Sequence, residues 1–397
     1  MIYTINNCIR AFGYTNFDNL IADMGSVDNL KAYVRANGYA DIAVAEDTEL
    51  LLVDVNGKTW HTGCYGAVIE PPKLYLCFTS TGDSTVAMTQ EGTPNTSANK
   101  VIQYKLNNGQ WQTWDLSEVS LHDGDKMYFK SDDEIPMSEL GDIYKRFIMT
   151  GSIAASGNIM SLLNFSDTLT DYGFYNLFNY CTALTSAPTL PATTLAESCY
   201  QEMFSDCTSL TQAPTLPATT LADFCYAFMF SGCASLTTAP ELPATTLKGS
   251  CYVAMFQRCT SLTAASELPA TTLADGCYNC MFMGCESLVT VPALPATTLV
   301  TRCYGQMFMN CTSLVQAPEL PATTLEMYCY SSMFQGCSKL NYVKALFTDM
   351  SAKNCVGNWL NNVSATGTFV KNSAATWTNE QAGIPSGWTV QTASPDK

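Results

Sequence analysis

From Leu190 onward the chain repeats one sentence: LPATTLADFCYAFMFSGCASLTTAPE is followed by LPATTLKGSCYVAMFQRCTSLTAASE, and six full 26-residue copies begin at Leu190, Leu216, Leu242, Leu268, Leu294 and Leu320. A degenerate seventh precedes them, with Leu169, Phe174, Leu177, Phe178 and Cys181 in step. A fixed period in this range is the signature of coils laid side by side, each too small to bury its apolar face alone. Within one copy Cys225, Tyr226, Met229, Phe230 and Cys233 fall at i, i+1, i+4, i+5 and i+8. That spacing predicts a helix with all five on its core side. The remainder, SLTTAPELPATTL, carries two prolines and suits a short extended segment and a turn. One strand and one helix per coil is the expectation.

Eighteen cysteines suggest a disulfide scaffold until their positions are read. Cys199, Cys225, Cys251, Cys277, Cys303 and Cys329 recur in one column, and Cys181, Cys207, Cys233, Cys259, Cys285, Cys311 and Cys337 in another. On helices, two cysteines eight positions apart would stand ~12 Å from each other along the axis and neighbouring helices ~8–10 Å apart. A disulfide wants Cα atoms within ~7 Å. The thiols are expected to be free, buried fillers of a protein folded in a reducing compartment.

The flanks leave the period. Residues 1–71 read as a small N-terminal α+β unit for attachment: Ser26 caps a helix bearing Leu30, Tyr33 and Val34 that stops at Gly38, and LLLVDVNGKTWH turns at Asn56 and Gly57 as a hairpin. Residues 72–150 carry short alternating stretches, LYLCF, STVAMT, VIQYKLNNGQWQTW and KMYFK, expected to form an Ig-like β-sandwich. Residues 151–345 hold the coils. Residues 346–397 offer a helix around SAKNCVGNWLNN and a strand TGTFVKN as a C-terminal cap.

The composition allows real cores, at 47% apolar and 11% aromatic residues, while a net charge of −16 excludes a nucleic-acid partner. No stretch approaches ~18 consecutive apolar residues, and MIYTINNCIRAFGY has no export signal, so neither membrane insertion nor Sec export is expected.

His61 and His122 lie in different regions, with no nucleophile spaced to pair with either. Cys277 and Cys280 form a CxxC, but Cys277 belongs to the core column and Cys280 to one filled elsewhere by Glu202, Phe228, Ala254, Gln306 and Ser332. Asp132, Asp133 and Glu134, with Asp123 and Asp125, match no calcium loop and read as solvated loop charges. Glu241, Glu267 and Glu319 share a column interrupted by Ala293. Tyr200, Tyr226, Tyr252, Tyr278, Tyr304 and Tyr330 read as core rather than as a sugar-binding ladder. No catalytic, metal or cofactor site is expected.

What changes from coil to coil is more informative. Positions facing away from the core hold Ser198, Phe224, Ser250, Gly276, Arg302 and Tyr328, and, four residues on, the column from Glu202 to Ser332. Phe224, Phe228, Arg302, Gln306 and Tyr328 are the candidate partner-binding residues.

The stretch LPATTLADFCYAFMFSGCASL resembles the BspA-like leucine-rich repeats, over about residues 160–345. The resemblance implies a right-handed α/β solenoid, and with the flanks an α+β multidomain chain. GSIAASGNIMSLL, GNWLNNVSATGTF and IPSGWTV look like segments that accompany such repeats in gut anaerobic bacteria and their phages. Such a resemblance implies a surface-displayed binding protein without chemistry of its own. The expectation is a phage structural protein of fibre or decoration type, a homo-oligomer assembled in host cytoplasm and released by lysis. Its N-terminal region would meet other virion proteins and its coils a bacterial surface glycan or protein. A bacterial cell-surface adhesin is the alternative.

Overall fold

The computed structural model describes residues 74–95, 97–140 and 142–393, together with the backbone of three short strands before them. Two compact units divide the chain, residues 1–74 and 75–397. In the first, β1 (Asp41–Val44), β2 (Leu50–Val53) and β3 (Thr59–His61) form an antiparallel sheet in that order, with Leu52 opposite Trp60. The helix expected over residues 26–38 lies outside the described residues.

The second unit opens with two facing sheets. The strands are β4 (Leu76–Ser80), β5 (Ser84–Glu91), β6 (Gln103–Leu106), β7 (Gln112–Thr113), β8 (Val119–Leu121), β9 (Lys126–Lys130), β10 (Ser138–Leu140), β11 (Ile143–Thr150), β12 (Ile153–Ser156) and β13 (Leu184–Ser186). One sheet runs β10-β11-β5-β8 and the other β13-β12-β4-β9-β6-β7. Alternation decides which side chains meet between them: β5 buries Ser84, Val86 and Met88, and β9 buries Met127 and Phe129. Phe78, Trp114, Phe129 and Phe147 form the aromatic centre, the Phe rings 4.7–5.3 Å apart.

No boundary in the packing separates this region from the coils. The pairing of β12 with β13 is parallel and brings the first coil into the larger sheet. Phe147 stacks on Phe178 at 5.2 Å, and one continuous core runs from Leu76 to Trp388.

The coils themselves correct the expected fold class. The described residues contain no α-helix; their helical geometry is limited to two short 3-10 segments, Ser97–Asn99 and Ile159–Leu163, and they form an all-β structure with turns, not α+β. The expected right-handed α/β leucine-rich-repeat solenoid is therefore not what forms. The core stretch of each copy is a run of turns with a left-handed residue every fourth position: Phe224 and Phe228 at φ +55° are followed by Gly232 at +75°. N–H groups alternate between two destinations. Cys225, Ala227, Met229, Ser231 and Cys233 donate to carbonyls three residues back in the same coil, while Phe224, Tyr226, Phe228, Phe230 and Gly232 donate to carbonyls 25 residues on in the next. Turns with a positive φ at their third residue, such as Ala222 to Cys225, alternate with turns lacking it.

The physical reason the helix fails is visible in the spacing. A set at i, i+1, i+4, i+5, i+8 has a strict period of four, and over nine residues this is not distinguishable from 3.6. A helix would satisfy its backbone within itself. The turn run sends half of its donors into the neighbouring coil, so stacking adds hydrogen bonds as well as apolar contact. It also places Gly232, Gly284, Asn310 and Gly336, poor helix formers, at left-handed positions they tolerate.

Inside the stack every copy repeats its contacts. Tyr rings from Tyr200 to Tyr330 are spaced 5.8–6.1 Å apart and nearly parallel. Phe rings from Phe178 to Phe334 are spaced 5.3–5.8 Å. Thiols of Cys207, Cys233, Cys259, Cys285, Cys311 and Cys337 donate to the Phe carbonyl of the preceding coil at 3.0–3.1 Å. All described cysteines are free, and because the coils are runs of turns, helical spacing is not what keeps them apart.

The C-terminal region adds another turn run where the sequence suggested a helix, with Asn354, Asn358 and Asn362 left-handed at φ +51° to +58°. Strands β14 (Tyr342–Ala345), β15 (Gly367–Lys371) and β16 (Trp388–Thr392) pair in parallel in that order. Buried Trp359 ends both ring columns, 6.2 Å from Tyr330 and 6.3 Å from Phe334.

Candidate functional site

The left-handed positions form three columns along the stack, outward-facing for the most part, although Asn176, Ser198, Gly232 and Ala254 are buried. The first holds Tyr172, Ser198, Phe224, Ser250, Gly276, Arg302, Tyr328 and Asn354; the second Asn176, Glu202, Phe228, Ala254, Cys280, Gln306, Ser332 and Asn358. The third runs through Tyr180, Asp206, Gly232, Arg258, Gly284, Asn310, Gly336 and Asn362. Side chains of the first two columns are those singled out from the sequence, now on turns rather than on a helix face.

Left-handed backbone disfavours any side chain with a Cβ by about 1–2 kcal/mol, and Gly or Asn relieves this. Phe224, Phe228, Arg302, Gln306 and Tyr328 nevertheless occupy it, at φ +55° to +57°. Phe224 is 42% exposed, Arg302 is exposed, and Phe228, Gln306 and Tyr328 are half-buried. Arg302 lies over the Tyr328 ring of the next coil, 5.1 Å from its centroid, joining these two into one feature. Phe224 and Phe228 stand three coils earlier and stack on no other ring among the described residues. The structure thus forms two separate patches.

The third column was not anticipated. Tyr180 is 64% exposed at its start, and Arg258 reaches across Gly232 to Asp206, at 3.9 Å. Gly232 leaves the room: a Cβ there would sit on the Asp206 carboxylate. The recurrence of Asp, Gly and Asn at Asp206, Gly232, Gly284, Asn310 and Gly336 was the available signal.

His122 Nδ1 lies 3.1 Å from Asp83 Oδ1 with both side chains in solvent, and the Asp83 carboxylate raises the imidazole above its ordinary value. These two, with Ser84, Thr85 and Ser120, border a hollow of about 270 Å³. His61 lies in β3.

Cys277 is buried in its core column while Cys280 faces outward, so the CxxC is split between two sides of the turn run. Burial pushes Cys277 up to about 12 and Cys280 up to about 11, away from thiolate chemistry. No group of three or more His, Cys, Asp and Glu suited to a metal ion occurs among the described residues.

Several carboxylates have structural partners rather than solvent alone. Asp133 accepts from Lys100 Nζ at 2.8 Å, a fully buried amine, and Asp132 pairs with Lys130 at 2.7 Å. Asp125 accepts from the His122 N–H and the Asn107 amide, and Asp123 from the Gly82 N–H. Glu319 pairs with Lys344 at 2.9 Å. The Tyr column is buried throughout, and the hydroxyls of Tyr200, Tyr252 and Tyr304 have no hydrogen-bond partner.

At the far end of the stack, a cleft of about 810 Å³ lies between the last turn run and residues 376–383, with Asn354, Asn358, Asp349 and Glu380 on its walls. No helix among the described residues is long and apolar enough to cross a membrane. Compared with known protein families and curated proteins, the chain matches no family model and no curated relative.

Proposed function

We propose that this chain is a non-enzymatic display protein that binds a bacterial surface component through the outward columns of its stack. The observation that carries the reading is the retention of bulky side chains at left-handed, solvent-facing positions, above all Phe224 at φ +55° and 42% exposure. Glycine or asparagine would relieve the strain there, so a large apolar ring is maintained against the backbone's preference. The inner columns are committed to packing. The exposed positions of the outer ones, such as Phe224 and Arg302, differ from coil to coil, which suits recognition by many weak contacts multiplied over an array.

A phage particle, with residues 1–71 as the attachment region, is the setting favoured by the likeness of the flanking segments to those of phages and gut anaerobes. Mass spectrometry of purified particles against host envelope fractions distinguishes this setting from a bacterial adhesin.

The binding itself is tested with the full chain and isolated cell envelopes of candidate gut anaerobic hosts. Replacing both Phe224 and Phe228 by Asn keeps a residue that accepts left-handed backbone, so folding is expected to hold while envelope binding falls at least tenfold. Unchanged binding by the double variant, or no binding of the parent chain to any envelope, would overturn the reading.

A further inference from the structure

At the positions equivalent to Phe224–Gly232, every backbone hydrogen bond between consecutive coils points the same way, from an N–H of one coil to a carbonyl of the next, while thiols such as those of Cys207 and Cys233 donate in the opposite direction. The stack therefore has a carbonyl edge at its start and an N–H edge at its end. At the start the carbonyls are covered by the sandwich. Met137 N–H donates to Gly173 (3.0 Å) and Phe147 N–H to Leu177 (2.9 Å), while Ser138 Oγ donates to Tyr175 (3.0 Å) and Arg146 to Asn179 (3.3 Å).

The other edge is open among the described residues. Tyr328, Tyr330, Ser332, Phe334 and Gly336 donate to Lys353, Cys355, Gly357, Trp359 and Asn361, but the equivalent N–H groups of Asn354, Val356, Asn358, Leu360 and Asn362 have no acceptor among the described residues. Asn354, Val356 and Asn358 line the 810 Å³ cleft. Its opposite wall is tied down by Trp359 Nε1, which donates to the Ala382 carbonyl at 2.7 Å. Two exposed carboxylates, Asp349 and Glu380, stand on the lining, which contains no lysine or arginine. Hydrogen bonds from Ser351 hold the Asp349 carboxyl below its usual range, so it stays charged.

We propose that this cleft binds a peptide segment of a partner protein, which adds a further run of backbone to the stack by offering carbonyls to these N–H groups and a lysine or arginine to Asp349 and Glu380. The donors are spaced as in every preceding coil, where their partner is a backbone. Anionic ligands meet two carboxylates. A second copy docking end to end in the stack's own register is excluded, because the complementary carbonyl edge of this chain is already used by its sandwich. The proposal does not rest on Phe224, Phe228, Arg302, Gln306 or Tyr328.

The test selects random twelve-residue peptides by mRNA display on the full chain, with counter-selection on Glu380→Lys, an exposed position. Enriched sequences are expected to carry lysine or arginine. A synthetic copy should bind Glu380→Lys at least tenfold more weakly, bind the Phe224→Asn/Phe228→Asn variant normally, and slow amide exchange at Asn354, Val356 and Asn358. Failure to enrich any sequence, a bound peptide that leaves those amides exchanging as before, or protection of them by soluble glycans and by no peptide would overturn it.

Discussion

The sandwich and the stack share one core but are stabilised by different means. Around Phe78, Trp114 and Phe147 the sandwich uses each contact once, and it buries charge: Lys100 against Asp133, and Lys145 against the Gln90 side chain and the Ser97 carbonyl. The stack buries no charged side chain and repeats one set of Cys, Tyr, Met and Phe contacts from coil to coil. One region is specified by polar groups that each have their own particular partners. The other is specified by repetition, so its ionisable groups all respond to the same condition at once.

Alkaline pH should separate them most strongly. Burial raises all thirteen periodic thiols above their ordinary value near 9, with Cys181 and Cys285 at about 12. For an acid whose folded value is raised, the unfolded chain loses its proton first; stability is intact below pH ~9 and is lost as pH rises beyond it. Each thiol contributes at most roughly 1.4 kcal/mol per pH unit, and because all thirteen act in the same direction the stack is the more alkali-sensitive region. Lys145 acts in the opposite sense. Burial lowers it to about 8, and its unfolded form keeps a proton to about 10.5, so its contribution to stability rises across that window. Hydrogen exchange followed from pH 8 to 10 should show the coils opening before the sandwich; simultaneous opening would show that the two regions cannot be treated apart.

Phe256→Ala should cost about 3–5 kcal/mol, from loss of a ring stacked on both sides, by denaturant unfolding. Exchange should rise mainly in the adjoining coils, as expected where each repeat contacts its neighbours.

In the sandwich, Asp133→Ala should cost about 2–3 kcal/mol, below the full penalty for a broken buried pair because the Asp133 side chain keeps 30% exposure. Adding Lys100→Met should restore most of it, which a simple packing defect would not allow. The smallest change expected is Tyr252→Phe. Its buried hydroxyl has no partner, so removing it should raise stability by up to about 1 kcal/mol, seen as a higher melting temperature.

Much of this was legible in the letters. The period, the identity of the inward columns and the outward position of Phe224, Phe228, Arg302, Gln306 and Tyr328 all follow from which positions repeat and which drift. The conformation joining them was not legible. Cys225 to Cys233 spans too few residues to tell a period of four from a helix, and Ser, Phe and Arg at the left-handed positions conceal what Gly232 and Asn310 would have disclosed. The cleft was hidden for a different reason, since residues 349 and 380 are brought together only by the closing coils.

What the sequence determined by itself is that identical apolar and thiol side chains recur every 26 residues and must share a buried interior, because no single coil carries enough of them. Only the tertiary structure decided how the backbone is satisfied. Hydrogen bonds between coils do not exist until the coils are stacked, and these bonds select turns over helix and give the stack one covered edge and one edge with no acceptor among the described residues.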